Sequence, residues 1–255
     1  MNLKMIVTDL DGTLLRSDKT ISEHSKAVLS QYRKSGVKVV YATGRGGSAE
    51  QVAPVELFDG RITMNGAIAK SEESVVYNKL IPFLTARSIL MACDKRGMKI
   101  TSEISGMHYS NFMVSDLWKY ITNFQTVDFS LHQCDAEKIY TPNPTTEDKI
   151  FIESLLPEDL YFVVTADVNG VLGQIMHKDA TKGKAVSAIA EYWNITISDI
   201  VAFGDDYNDI EMLQGCGTGV AMKNAIDEVK AVADYVCDTN DNDGIAKWLK
   251  ERISL

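Results

Sequence analysis

Short β-prone runs, each breaking off at a cluster of polar or acidic residues, restrict what this chain can fold into more than any other feature. Lys4-Met5-Ile6-Val7-Thr8 stops at Asp9-Leu10-Asp11-Gly12-Thr13, and Val37-Lys38-Val39-Val40-Tyr41 stops at Thr43-Gly44-Arg45. Arg61-Ile62-Thr63-Met64 ends at Asn65-Gly66, and Ile200-Val201-Ala202-Phe203 ends at Gly204-Asp205-Asp206-Tyr207-Asn208-Asp209. After the first run, Ser22 can cap a helix whose apolar stripe is Val28, Leu29 and Tyr32, with Gly36 as its stop. A β-α-β-α-β order of this kind predicts an α/β fold, a Rossmann-like parallel sheet with helices on both faces.

The rhythm is interrupted once. Between about 82 and 179 the elements come in less regular order, with a helix expected over 84–96. Runs at 162–165 and 171–176 flank Asn169-Gly170 and read as a hairpin. Pro142, Pro144 and Pro157 break the rest into short pieces, and Trp118, Tyr120 and Phe124 read as one packed helix face. The α/β pattern then resumes. Helices are expected over 180–193, 207–213, 225–233 and 244–252, and strands over 219–222 and 235–237. The resulting expectation is a core domain over 1–82 and 179–255, with an α+β domain over 83–178 inserted into it.

Composition excludes several classes of function. The chain has 26 Lys and Arg against 35 Asp and Glu, a net charge of −9, with no basic cluster. Such a surface repels nucleic acid and anionic lipid, so neither is expected as a partner. No apolar run approaches the roughly 20 residues of a membrane helix, and the start runs into Asp9 and Asp11 too soon for a signal peptide. A cytoplasmic protein is expected, as a monomer or weak homodimer. Cys93, Cys134, Cys216 and Cys237 form no C-x-x-C pair and are expected to be reduced.

Ligands of an open parallel sheet bind beyond the carboxyl ends of its strands. Those ends gather several carboxylates, the Thr43 hydroxyl and free backbone amides, and Lys182 opens the helix before the strand at 200–203. Crowded carboxylates repel unless a cation lies among them. Oxygen donors with no His or Cys nearby favour Mg²⁺. A lysine and a threonine beside such a site suit phosphate oxygens, and the pattern implies phosphoryl transfer. An Asp can serve as nucleophile through an aspartyl-phosphate. A second Asp two residues on can protonate the leaving oxygen and then deprotonate water.

These segments resemble the four motifs of the haloacid dehalogenase (HAD) superfamily of phosphohydrolases. Asp9-Leu10-Asp11-Gly12-Thr13 looks like the first, Thr43 in Tyr41-Ala42-Thr43-Gly44-Arg45 the second, Lys182 in Thr181-Lys182-Gly183-Lys184-Ala185 the third, and Gly204 to Asp209 the fourth. Their order, with a large insertion between the second and third, is similar to the Cof-type branch with its large α/β cap.

The resemblance implies that Asp9 attacks phosphorus and binds Mg²⁺, and that Asp11 is the general acid/base and lends its carbonyl to the metal. It further implies that Asp205 completes the ligands, supported or joined by Asp209. Thr43, the amides of Leu10 and Gly44, Lys182 and Asn208 would hold the phosphate. The substrate would be a small phosphomonoester, a sugar phosphate or similar metabolite, chosen by an insertion that closes over the site.

Three other readings compete. A phosphomutase would use the same chemistry. A phospho-receiver also combines an acidic cluster with Asp, Thr and Lys, although an acid/base at Asp11 would hasten loss of its phosphate. Gly44-Arg45-Gly46-Gly47-Ser48-Ala49 fits the G-x-G-x-x-A pattern of a nucleotide-binding module, but on the second strand and with Pro54 close behind.

Overall fold

The computed structural model describes residues 2–253. In chain order the elements are β1 (Met5–Thr8), α1 (Glu23–Lys34), β2 (Lys38–Ala42), β3 (Gly60–Thr63), β4 (Ile68–Ser71), β5 (Ser74–Asn78), α2 (Phe83–Lys95), β6 (Thr101–Ile104), β7 (Met107–Ser110), β8 (Phe124–Thr126) and β9 (Lys138–Pro142). They continue with α3 (Thr146–Leu155), β10 (Leu160–Asp167), β11 (Gly170–His177), α4 (Lys182–Tyr192), β12 (Ile200–Gly204), α5 (Ile210–Gly215), β13 (Thr218–Ala221), α6 (Asp227–Val232), β14 (Tyr235–Val236) and α7 (Gly244–Arg252). The chain divides into two compact units, Met1–Asn78 with Thr181–Leu255 and the intervening Lys79–Ala180.

The first unit is built on a sheet of strand order β14-β13-β12-β1-β2-β3-β4-β5. From β14 to β3 the strands are parallel, and β1 is central, in register with β2 through Thr8↔Tyr41 and with β12 through Thr8↔Phe203. Strands buried on both faces need continuous apolar runs, and Met5, Ile6, Val7, Val39, Val40, Val201, Ala202 and Phe203 are all without exposure. Helix α1 begins where Ser22 accepts a hydrogen bond from Ser25 N, and buries Val28, Leu29 and Tyr32. The Tyr32 hydroxyl lies 3.0 and 2.7 Å from the carbonyls of Leu249 and Ile253, which ties α1 to the last turn of α7.

Two expectations need correction. The sheet is not parallel throughout, because β4 and β5 extend it antiparallel beyond β3. They escape sequence reading because they are short and join through the charged pair Glu72-Glu73, with Glu72 at φ 50°. The crossover from β2 to β3 also contains no α-helix. Two 3-10 turns, Gly47–Gln51 and Val55–Leu57, fill it, since Gly46 and Gly47 disfavour a helix start and Pro54 separates the two turns.

The second unit carries a sheet of order β10-β11-β9-β6-β7-β8, antiparallel except for the β7/β8 pair. Neighbouring residues of a strand face opposite sides. Accordingly Ile139 packs with α2 and α3 through Ala86, Ile89, Leu90, Cys93 and Ile152, whereas Tyr140 packs with Val114 and Trp118. The hairpin expected around Asn169-Gly170 is the β10/β11 pair.

Trp118, Tyr120 and Phe124 do not share a helix face, in correction of that expectation. Trp118 is buried and donates its indole N–H to the Asp167 carboxylate at 3.0 Å. Tyr120 is exposed and Phe124 begins β8. Packing against the sheet, not helical periodicity, sets their spacing. All four cysteines are free thiols. Among the described residues, no helix is long and apolar enough to cross a membrane.

Phe203 sits on β12 with no exposure, its ring 5.5 Å from that of Trp248 in an edge-on contact. Phe203→Ala is expected to lower the unfolding free energy by about 3–5 kcal/mol through the cavity it leaves, as read by urea denaturation.

Candidate active site

The carboxyl ends of β1, β2, β3 and β12 and the first turn of α4 meet in the first unit. Asp9 follows β1 directly, its amide donating to Phe203 O at 3.0 Å. Lys182 is the first residue of α4, whose N-terminus is capped by the Thr181 hydroxyl. Its ammonium, fully buried, donates to Asp9 Oδ1 and to Asp209 Oδ1, each at 2.7 Å. The other Asp209 oxygen accepts from the amides of Asp205 and Asp206 at 2.9 and 3.1 Å. The Thr13 hydroxyl donates to Asp205 Oδ1. Gly12, at φ 78°, makes the approach of Asp205 possible, because a Cβ there would collide with Asp205 Oδ2.

Asp9, Asp205 and Asp209 each bring an oxygen within 4.8 Å of the others, so three carboxylates face one ammonium. Burial pushes Asp9 up to about 8, with Lys182 opposing and Asp209 and Asp205 adding to the rise. Burial likewise lifts Asp205 to about 6, with the Thr13 hydroxyl opposing. For Lys182, burial works against the charge, but Asp209 and Asp9 outweigh it and hold the group firmly protonated. The pocket is therefore short of positive charge. A bound cation would pull the carboxyls of Asp9 and Asp205 back down. The donors are all hard oxygens, with no imidazole or thiolate among them, a set that fits Mg²⁺ and does not fit zinc. Asp9 and Asp205 could hold such an ion, with Asp209 turned towards Lys182 and the loop amides.

Asp11, two residues beyond Asp9, has its carboxylate directed elsewhere. Arg45 donates to both of its oxygens, and Lys19 Nζ donates to Oδ1 at 2.7 Å. Partial burial would raise its pKa, but the hydrogen bonds and charges of Arg45 and Lys19 prevail and lower it to about 2. Thr43 is buried and its hydroxyl oxygen accepts from Arg45 N at 3.2 Å. Gly44 lies against the Asn65 carboxamide, and Asn208 Nδ2 donates to Asn65 Oδ1 at 2.8 Å. Leu10 buries its side chain completely while its backbone stays in the loop.

The structure thus gathers Asp9, Asp205, Asp209 and Lys182 tightly, and sets Asp11, Thr43, Gly44, Leu10 and Asn208 on the adjoining loops. Sequence reasoning gave no role to Thr13, Lys19, Arg45 or Asn65. Arg45 could have been found from the adjacency of β1 and β2, which brings the residues after both strands together. Lys19 carries no such signal, since a turn with Lys19 at φ 67° delivers it.

A carboxyl with a depressed folded-state pKa gains stability above its ordinary value of 3.8 and loses that gain as pH falls towards 2. Arg45→Ala is expected to move the Asp11 midpoint upward, towards 3.8. A ¹³C-detected carboxyl titration would read the shift, and an unmoved midpoint would show that Arg45 does not hold the charge.

The family model of haloacid dehalogenase-like hydrolases matches residues 6–249. The chain is 29% identical over 266 residues to the 5-amino-6-(5-phospho-D-ribitylamino)uracil phosphatase YitU of Bacillus subtilis, covering 98% of each. Among solved structures, it is similar to TM0651 from Thermotoga maritima, with 29% identity, 99% and 98% coverage and a TM-score of 0.86. It is also similar to the HAD subclass IIB sugar phosphatase BT4131, with 29% identity, 97% and 98% coverage and a TM-score of 0.77. With the family model spanning nearly its whole length, the chain belongs to the haloacid dehalogenase-like hydrolases.

Proposed function

We propose that this protein is a Mg²⁺-dependent phosphatase that hydrolyses a small phosphomonoester through an aspartyl-phosphate on Asp9. The observation that carries the reading is the buried Asp9–Lys182–Asp209 bridge with Asp205 beside it. Similarity to named phosphatases, one acting on a phosphorylated ribitylamino uracil and one on sugar phosphates, supports a metabolite-sized ester.

In this reading Lys182 and Asp209 fix Asp9 so that its Oδ2 faces phosphorus. Asp9, Asp205 and the Asp11 carbonyl would hold Mg²⁺, whose charge would offset that of the phosphate oxygens. Asp9 Oδ2 forms the new P–O bond as the bond to the leaving alkoxide breaks. Asp11 supplies the proton to that alkoxide, and for this it must leave the grip of Arg45 and Lys19, which holds it ionised. It then takes a proton from water as the water attacks phosphorus, releasing inorganic phosphate and restoring Asp9. Thr43, Lys182, Asn208 and the amides of Leu10 and Gly44 hold the phosphoryl oxygens.

Two features disfavour the rival readings. The segment from Gly44 to Ala49 leads into a five-residue 3-10 turn, not the helix a nucleotide-binding loop requires. An acid/base at Asp11 is at odds with a receiver, which must retain its phosphate. No observation favours a mutase over a hydrolase.

Asp9→Asn is expected to cut kcat for p-nitrophenyl phosphate by about 10³-fold or more. A loss of tenfold or less, in protein free of deamidated product, would remove Asp9 as nucleophile. Millimolar Mg²⁺ is expected to raise the Tm of the wild-type protein by mass action, and Asp205→Asn to abolish most of that rise. Equal Tm values in Mg²⁺ and in EDTA would remove the metal from the reading.

Every residue assigned to the phosphate lies in the first unit, so the second, with the segment 83–178, is left to choose the leaving group. Exchanging 83–178 for the equivalent segment of a relative with another substrate is expected to transfer the substrate ranking. A folded chimera that keeps the original ranking would return selectivity to the core.

A further inference from the structure

The turn after β3 is a strand end whose chemistry the proposed mechanism leaves unused. Its backbone is strained. Met64, Asn65 and Gly66 are consecutive left-handed residues with φ of 51°, 55° and 103°. Two of them are not glycine, and each left-handed non-glycine residue is unfavourable unless its surroundings enforce it.

Several of the contacts that hold the turn run to residues assigned to phosphate or to their immediate neighbours. Met64 N donates to Arg45 O at 2.9 Å and Asn65 N to Thr43 O at 3.0 Å, which straps the turn along the Thr43-Gly44-Arg45 loop. The Asn65 carboxamide oxygen receives Asn208 Nδ2 at 2.8 Å and lies against Gly44. At Gly66 the turn passes so close to the start of α4 that a Cβ would collide with Thr181 O and fall 2.8 Å from Lys182 N. One three-residue turn therefore touches the loop after β2, the loop after β12 and the first turn of α4.

We propose that Asn65 is a positioning residue for phosphate, acting through Asn208. Its side-chain oxygen takes one N–H of the Asn208 carboxamide and so orients that group. The left-handed backbone holds Asn65 beside Gly44, whose amide serves the same phosphate. Asn suits the position twice over, because it tolerates the left-handed region better than other side chains and carries the acceptor. The inference rests on the phosphatase reading, since it presumes that Asn208 and Gly44 bind phosphate.

The test is a double-mutant cycle on the full-length protein in Mg²⁺, read as Kd for inorganic phosphate by calorimetry and as KM and kcat for p-nitrophenyl phosphate. Asn65→Gly keeps the left-handed backbone and removes the acceptor. It is expected to weaken phosphate binding and raise KM by about tenfold, the scale of one charge-linked hydrogen bond, with kcat changed less and Tm little altered. Asn208→Ala is expected to do the same, and Asn65→Gly/Asn208→Ala to lie within twofold of Asn208→Ala alone, because the two residues act as one unit.

Multiplicative effects in the double mutant, or an Asn65→Gly protein with wild-type Kd, would overturn the proposal. Asn65→Ala separates side chain from backbone. If it alone loses phosphate affinity while Asn65→Gly does not, the backbone and not the carboxamide does the positioning, and the proposal falls. Wild-type turnover of p-nitrophenyl phosphate tests the phosphatase reading separately, whatever the cycle gives.

Discussion

A single ammonium group, that of Lys182, organises the carboxyl end of the core sheet. It joins Asp9, 173 residues away in sequence, to Asp209, 27 residues away, with both bonds at 2.7 Å and the nitrogen shut off from water. Burying one cation beside three carboxylates would be costly if any partner were missing. The arrangement holds because Asp209 is itself satisfied, its second oxygen taking the amides of Asp205 and Asp206. Lys182 thereby sets the conformation of the loop that presents Asp205, a residue it is not hydrogen-bonded to. Thr13 and Gly12 complete the fit from the β1 side.

The second electrostatic unit, around Asp11, has the opposite character. Asp9 is pushed towards its neutral form by burial, whereas Asp11 is held ionised by Arg45 and Lys19 at a half-exposed position. Two acids on one short segment thus differ in acidity through their surroundings alone. For the proposed reading both must change, a bound cation lowering the Asp9 carboxyl and Asp11 leaving Arg45 and Lys19 to take up a proton.

How much of this could be read in the sequence depended on whether the signal was local. Parallel strands buried on both faces are continuous apolar runs, so β1, β2 and β12 and the acids behind them were plain, as was α7 between Gly244 and Arg252. Strands β4 and β5 were not, because an edge hairpin of short, partly exposed strands offers only brief apolar runs, Ile68-Ala69 and Val75-Val76-Tyr77. Helix α3 does carry a signal, the capping box from Thr145 to Asp148, which the three neighbouring prolines obscured. Isolated lysines are almost always exposed, so the complete burial of Lys182 is a consequence of the tertiary fold. The same holds for the grip of Arg45 on Asp11 and of Asn65 on Asn208, where side chains meet only because the sheet brings their strand ends to one edge.

The strand order has a temporal side. β1 pairs with β2 close by in the chain, but its other neighbour, β12, is made nearly 200 residues later. During synthesis Asp9 and Asp11 therefore emerge long before the groups that complete the pocket, and contacts of such sequence separation form late in folding. The mutual repulsion of the acids is deferred with them. Asp205 and Asp209 reach Asp9 only in company with Lys182, which is carried on the same C-terminal segment. A growing chain thus never presents the crowded carboxylates without their counter-charge, and it holds no complete pocket until its last quarter has joined the sheet.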